Sequence, residues 1–166
     1  GGLAQQMLTP AGQLLTLQEA ARRVQGGLSA WKGLADKPEL LQEALRLIDE
    51  CKTCAVAPET LFAAAEESED AVLAEKLSDL AQILTAYERL CEESLPDPRD
   101  RLTHLRDRLA ESHTLDGAAV YLDGFLGFTV QESAVVDAML AAGVPLSAAV
   151  TCDTDYPEIF LTGCKT

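Results

Sequence analysis

The stretch "GAAVYLDGFLGFTVQE", residues 117–132, changes the grammar of the chain. An apolar, β-prone run closes on Asp123, glycines and aromatics follow, and a helix is expected to begin at Thr129. Downstream, "TVQESAVVDAMLAAG" (129–143) reads as that helix, closed by Gly143, and "PLSAAVTCD" (145–153) as a second strand. Strand–helix–strand with tight loops implies a right-handed crossover and parallel pairing. Parallel sheets are normally buried on both faces, so two strands make a poor domain on their own. Residues 116–166 are therefore either a small annex on the helices or a piece of a larger sheet.

Asp123 admits four readings. In a phosphate-binding-loop enzyme, an acid ending a strand holds the water shell of the nucleotide's Mg²⁺, and a second acid beside it activates the attacking water. The adjacent residue here is Gly124, and the chain has no G-x-x-x-x-G-K-[ST] loop, so these residues alone cannot hydrolyse ATP. An aspartyl-nucleophile phosphatase needs two acids two positions apart, and Tyr121 stands where the nucleophile belongs. A phospho-accepting receiver domain needs alternating strands and helices throughout, whereas the first 115 residues read as helical. The fourth reading is a turn cap, with Gly124 and Gly127 supplying permissive backbone.

Upstream, the pattern is helical. In "LTPAGQLLTLQEAARRVQGGLSAWKG" (8–33), Thr9 is the expected N-cap and Pro10 the first helical residue. Leu14, Leu17, Ala21, Val24, Leu28 and Trp31 form one face, with Gly26-Gly27 expected to break or kink it. A second helix restarts near Pro38 with Leu41, Ala44, Leu45, Ile48 and Cys51 inward, and a short third one lies behind Pro58. The longest spans roughly 70–95, with Leu73, Leu77, Leu80, Leu84, Tyr87 and Cys91 as its stripe. Pro96 stops it. Asp97 caps the next helix, Pro98 opens it, Asp100 adds negative charge to its first turn, and Leu102, Leu105 and Leu109 point inward as far as about Ser112. The expected fold class is mainly α: a helical subdomain over 1–115, then a small parallel strand–helix–strand unit over 116–166.

Composition narrows the function classes. Aromatic residues are 5% of a chain that is 48% hydrophobic, so the core rests on Leu, Ala and Val. A net charge of −14 argues against a free-standing nucleic-acid binder, since phosphate binding needs clustered Lys and Arg. The local exception is "DPRDRLTHLRDRL" (97–109), which puts Arg99, Arg101, Arg106 and Arg108 on one segment around His104. Interleaved Asp100 and Asp107 favour intrahelical ion pairs over a DNA-binding strip. His104 and His113 are given no chemistry. The five cysteines (Cys51, Cys54, Cys91, Cys152 and Cys164) are an odd, scattered set that suggests reduced thiols. The C-x-x-C pair at 51 and 54 lacks a second pair or nearby His, so burial is favoured over metal or redox work. No apolar run approaches the roughly 20 residues of a membrane span and no signal peptide is visible, so no membrane and a cytoplasmic location are expected. Opening "GGLAQQ" and ending "LTGCKT", the chain reads as a segment of something larger.

The motif "VYLDGFLGFTVQE" (120–132) resembles a stretch in the B subunits of AddAB (RexAB) type ATP-dependent helicase–nucleases, where Y-[IL]-D-G-F-x-G-F-T-P-Q-E recurs. Val130 departs from it, where proline is usual. The helices "LTPAGQLLTLQEAARRV", "KPELLQEALRLIDECKTCAVAPETL" and "LAEKLSDLAQILTAYERLCEE…DPRDRLTHLRDRL" are similar to the same family's helical segment in the same order, so the likeness spans nearly the whole chain. The resemblance implies an internal, non-catalytic segment of a subunit that processes DNA double-strand breaks. Residues 1–115 would be a helicase 1B-like insertion and 116–166 part of a RecA-like sheet. Asp123 would hold the magnesium-ligand position of a degenerate nucleotide site. Gln131 and Glu132 would line the domain interior or a partner surface. It also implies ATP with Mg²⁺ in the parent, and a phosphate loop and an iron–sulfur cluster outside this segment. Other domains of the same subunit, the A subunit and DNA would be the partners. The competing reading is an independent helical protein–protein interaction domain with no nucleotide role.

Overall fold

Local start signals set the helices. In the computed structural model, which describes residues 6–111 and 115–150, Thr9 caps α1 (Pro10–Val24), its side chain accepting the Gly12 N–H at 3.1 Å. The helix ends before Gly26-Gly27 in a 3-10 turn, Gln25–Gly27, so the stripe expected through Leu28 and Trp31 leaves the helix there. Leu28 is buried all the same, carried in by the loop. Prolines open α2 (Pro38–Thr53) and α3 (Pro58–Glu67), and Asp70 caps α4 (Ala71–Glu93) by accepting from Val72 and Leu73 N–H. A 3-10 turn, Pro98–Asp100, precedes α5 (Arg101–Glu111). Then come β1 (Val120–Phe125), α6 (Val130–Ala141) and β2 (Leu146–Val150). The architecture is mainly helical with a small parallel strand–helix–strand segment, as the sequence implies.

The chain divides into two compact units, Gly1–Asp100 and Arg101–Thr166. α5, grouped by the sequence pattern with the helices before it, packs on α6 and belongs to the second unit.

In the first unit α4 packs against α1 and α3, and α2 against α1. Leu17, Ala20, Ala44, Ile48, Ile83, Leu84 and Tyr87 are wholly buried in one cluster. Small alanines let the helices approach, and branched aliphatics fill the remaining space. Leu73, expected inward, is 46% exposed near the start of α4.

In the second unit β1 and β2 pair in parallel, Val120 with Leu146, Tyr121 with Ser147 and Leu122 with Ala148. Leu109, Val135 and Val144 are buried. Leu105 is a correction: it is 41% exposed, because the inward face of α5 runs through Leu102, half-buried Arg106 and Leu109. One residue on a helix is about 100° of rotation, enough to turn 105 outward once 106 is inward.

Candidate functional site

β1 does not stop at its aspartate. The register advances from Leu122–Ala148 to Phe125–Val150, three residues on β1 against two on β2. One residue is therefore extra, a bulge that bends the strand and re-aims its side chains. Gly124 lies in it with φ of +80°, where a side chain would be strained, so the D-G pair supplies backbone freedom at the bulge. Asp123 is exposed. Tyr121, two residues earlier and 78% exposed, shares its side of the sheet by strand alternation. Half-buried Leu122 and Phe125 instead line an apolar cavity of about 170 Å³ with Phe128, Val135, Val136 and Met139. The rings of Phe125 and Phe128 sit 5.0 Å apart, tilted by 36°.

Thr129 begins α6 with a capping box: its hydroxyl accepts the Glu132 N–H at 3.2 Å, and the Glu132 carboxylate accepts the Thr129 N–H at 2.7 Å. Glu132 is thereby committed to the helix start. Gln131 Nε2 reaches the Thr103 hydroxyl at 3.4 Å, which ties α6 to α5. Both residues are half-buried inside the unit. Asp123 is different: among the described residues nothing donates a hydrogen bond or ion pair to it. A hard carboxylate beside a bulged strand, with its oxygens uncommitted, suits Mg²⁺, which keeps most of its water and takes one or two carboxylates. The neighbouring Gly124 has no group to orient a water or accept a proton.

The first unit holds polar chemistry that the sequence pattern did not show. Asp97 was expected only as a cap. It does accept the Arg99 N–H at 2.9 Å, but it is also fully buried. Gln13 Nε2 and the Tyr87 hydroxyl donate to its two oxygens, each at 2.8 Å, and Lys52 Nζ lies 3.7 Å away. Lys52, itself buried, donates to both oxygens of Asp100 at 2.6 and 2.7 Å and sits 5.6 Å over the Tyr87 ring. Burial works to raise the Asp97 pKa, yet the Arg99 N–H, the Tyr87 hydroxyl, the Lys52 charge and Gln13 together hold it below the ordinary value. Burial, then the Asp97 charge and hydrogen bond, push the Tyr87 phenol far up, so it stays a donor. Each oxygen of Asp97 is engaged and the cluster is closed to substrate: it builds structure.

Asp79 is the second buried acid. Its Oδ2 accepts the N–H groups of Ser29, Ala30 and Trp31 at 2.8, 2.8 and 3.0 Å, pinning the loop that follows the break in α1. It borders an open cleft of about 360 Å³ that Glu66 and Glu75 also line. Three acids there repel phosphate.

The thiols are quiet. Burial first, then Cys54 and Glu50, raise the Cys51 pKa, and burial pushes Cys91 up to about 11 despite the Lys52 charge. A protonated, buried thiol is a poor nucleophile and ligand. Cys51, Cys54 and Cys91 are free, and among the described residues no group of three His, Cys, Asp or Glu side chains is placed to hold a metal ion. Cys152, Cys164, His113 and the end of the expected second strand lie outside the described residues. Among those described, no helix is long and apolar enough to cross a membrane.

Residues 1–160 match the family described as ADDB, N-terminal, and the chain belongs to that family. Three similar proteins are each named as the B subunit of an ATP-dependent helicase/deoxyribonuclease. That of Thermoanaerobacter sp. (strain X514) is 28% identical over 171 residues, covering 100% of this chain and 15% of the relative. That of Symbiobacterium thermophilum is 34% identical over 145 residues, covering 84% of this chain and 12% of the relative. That of Desulforudis audaxviator is 34% identical over 157 residues, covering 92% and 14%. The likeness read from the motif at 120–132 is thus borne out, and the chain spans no more than 15% of the length of these relatives.

Proposed function

We propose that this chain is an architectural, non-catalytic segment of the B subunit of a helicase–nuclease that takes part in repairing DNA double-strand breaks. In this reading the first unit corresponds to a 1B-like insertion, and β1–α6–β2 is part of a RecA-like sheet. Asp123 holds the Mg²⁺ of a nucleotide whose phosphates are cradled elsewhere in the parent. Family membership supports the parent, and the observation that carries the local role is the bulge at Asp123-Gly124. It presents one uncommitted carboxylate on the open side of the sheet, with bare backbone where a catalytic acid would stand. Bound Mg²⁺ would neutralise phosphate charge there. Asp123 would fix its position, and the capped start of α6 would hold the following turn in place.

The uncovered face beside Tyr121 supports the same reading, because a parallel sheet needs cover on both faces. The parent's further strands and helices, together with the A subunit, are the partners proposed to supply it. The assay is ATP turnover with Mg²⁺ by the purified chain. None is expected, and turnover that disappears in Asp123→Asn would overturn the proposal.

A further inference from the structure

Among the described residues of the second unit, the cations are gathered on one element. From Gly117 to Val150 the sequence contains no Lys or Arg, so the arginines of that unit's described residues are Arg101, Arg106 and Arg108, all on α5. They are not equivalent. Arg106 is half-buried on the inward side and donates through Nε and Nη2 to Asp107 Oδ1 at 2.8 and 2.6 Å. Arg101, His104 and Arg108 are exposed, and their spacing of three and four residues puts them on one face with Leu105 between them. Among the described residues none of the three has an ion-pair or hydrogen-bond partner.

Two physical features separate this face from an ordinary solvated one. In a chain of net charge −14 acids are plentiful, yet among the described residues none pairs with these cations: Asp100, directly before Arg101, is taken by Lys52. Arg101 and Arg108 are also seven residues apart, about 10 Å along the helix, close to the axial rise of three phosphates along one DNA strand.

We propose that the Arg101–His104–Arg108 face of α5 is a phosphate-binding strip that lies against the backbone of duplex DNA. The inference rests on the reading of the parent as a DNA-processing protein and adds to it a site on this chain. The two arginines supply sequence-independent backbone contacts, and His104 lies between them within reach of the same strand. Arg106, already paired and turned inward, takes no part. This revises the segment's charge pattern, which treats its four arginines alike.

The test uses the assembled parent complex and a blunt DNA duplex, with affinity measured across a salt series. Losing two phosphate contacts should lower the slope of log K against log salt by about 2. The double variant R101Q/R108Q is therefore expected to bind on the order of tenfold more weakly at 0.1 M salt. R101K/R108K should keep the wild-type slope, and R106Q should leave it unchanged. An unaltered slope in R101Q/R108Q, with wild-type complex binding DNA normally, overturns the inference alone. So does intact DNA binding accompanied by loss of the A subunit, which would make the face a protein contact. If the wild-type complex fails to bind duplex DNA at any salt, the reading of the parent falls, and the strip with it.

Discussion

Asp97 shows how much a single side chain can organise. Its partners Gln13, Lys52 and Tyr87 come from α1, α2 and α4, so one carboxylate joins three helices to the turn that leads out of the unit. Replacing it with alanine strands a buried Tyr87 hydroxyl and a Gln13 amide, and leaves Lys52 with Asp100 as its remaining acid. A loss of about 3 kcal/mol is expected, measured by urea or thermal unfolding. The pH dependence has a definite sign. The folded-state pKa of Asp97 lies below its unfolded value, so its contribution is present above that unfolded value, near 3.8, and fades as pH falls through the folded one. Glu88 works the other way: burial raises its pKa against the pull of Lys52, so protonating it favours the fold as pH falls. Below about pH 4, the wild-type chain should lose stability more steeply than Asp97→Asn, in which that carboxylate is gone while Glu88 remains. Parallel curves for the two proteins would contradict this assignment.

None of that was legible in the sequence beyond a cap, because the partner amide stands 84 residues away in the chain. Asp79 is hidden for the same reason: the N–H groups it accepts are about 50 residues upstream. Local signals carried what they could. Thr9-Pro10, Pro38, Pro58 and Thr129 each mark a helix start where the structure has one.

At the scale of elements, helix ends and strand register decide the geometry. α2 closes with Val56 N–H on the Cys51 carbonyl at 2.7 Å and Ala55 N–H on Lys52 at 3.0 Å, a left-handed closure with Ala55 at φ of +53°. Glycine is the natural residue there, and Ala55→Gly should stabilise the chain by about 1 kcal/mol in the same unfolding assay. A loss of stability would show that the alanine methyl makes a compensating contact. The strand expected to close on Asp123 is present as β1, but its start at Val120, its continuation to Phe125 and the bulge are not legible in the sequence, since register belongs to a pair of strands. α5 illustrates the limit of periodicity. Leu102, Leu105 and Leu109 fit a helical stripe on paper, but burial follows 102, 106 and 109, and that one-position rotation leaves Arg101 and Arg108 facing outward.

At the scale of the molecule, the chain is two units with different chemistry. The first is a helical body whose acids are either buried in structural clusters or spread on a surface adverse to phosphate. The second pairs two parallel strands around α6 and leaves the Asp123 carboxylate uncommitted at the strand bulge. The chain belongs to the ADDB, N-terminal family and covers at most 15% of each of these relatives, and in the proposed reading its sheet is finished by other parts of a long polypeptide. The motif at 120–132 carried most of this, because its D-G pair, its aromatics and its capping box each have a local structural consequence.

The central claim is that Asp123 holds a cation on a nucleotide, and calorimetric titration of nucleotide into the full-length parent protein tests it most directly. With Mg²⁺ present, Asp123→Asn is predicted to bind about tenfold more weakly than wild type, roughly 1.4 kcal/mol, and with Mg²⁺ chelated the two should bind alike. Equal affinity for wild type and Asp123→Asn in the presence of Mg²⁺ would contradict the account.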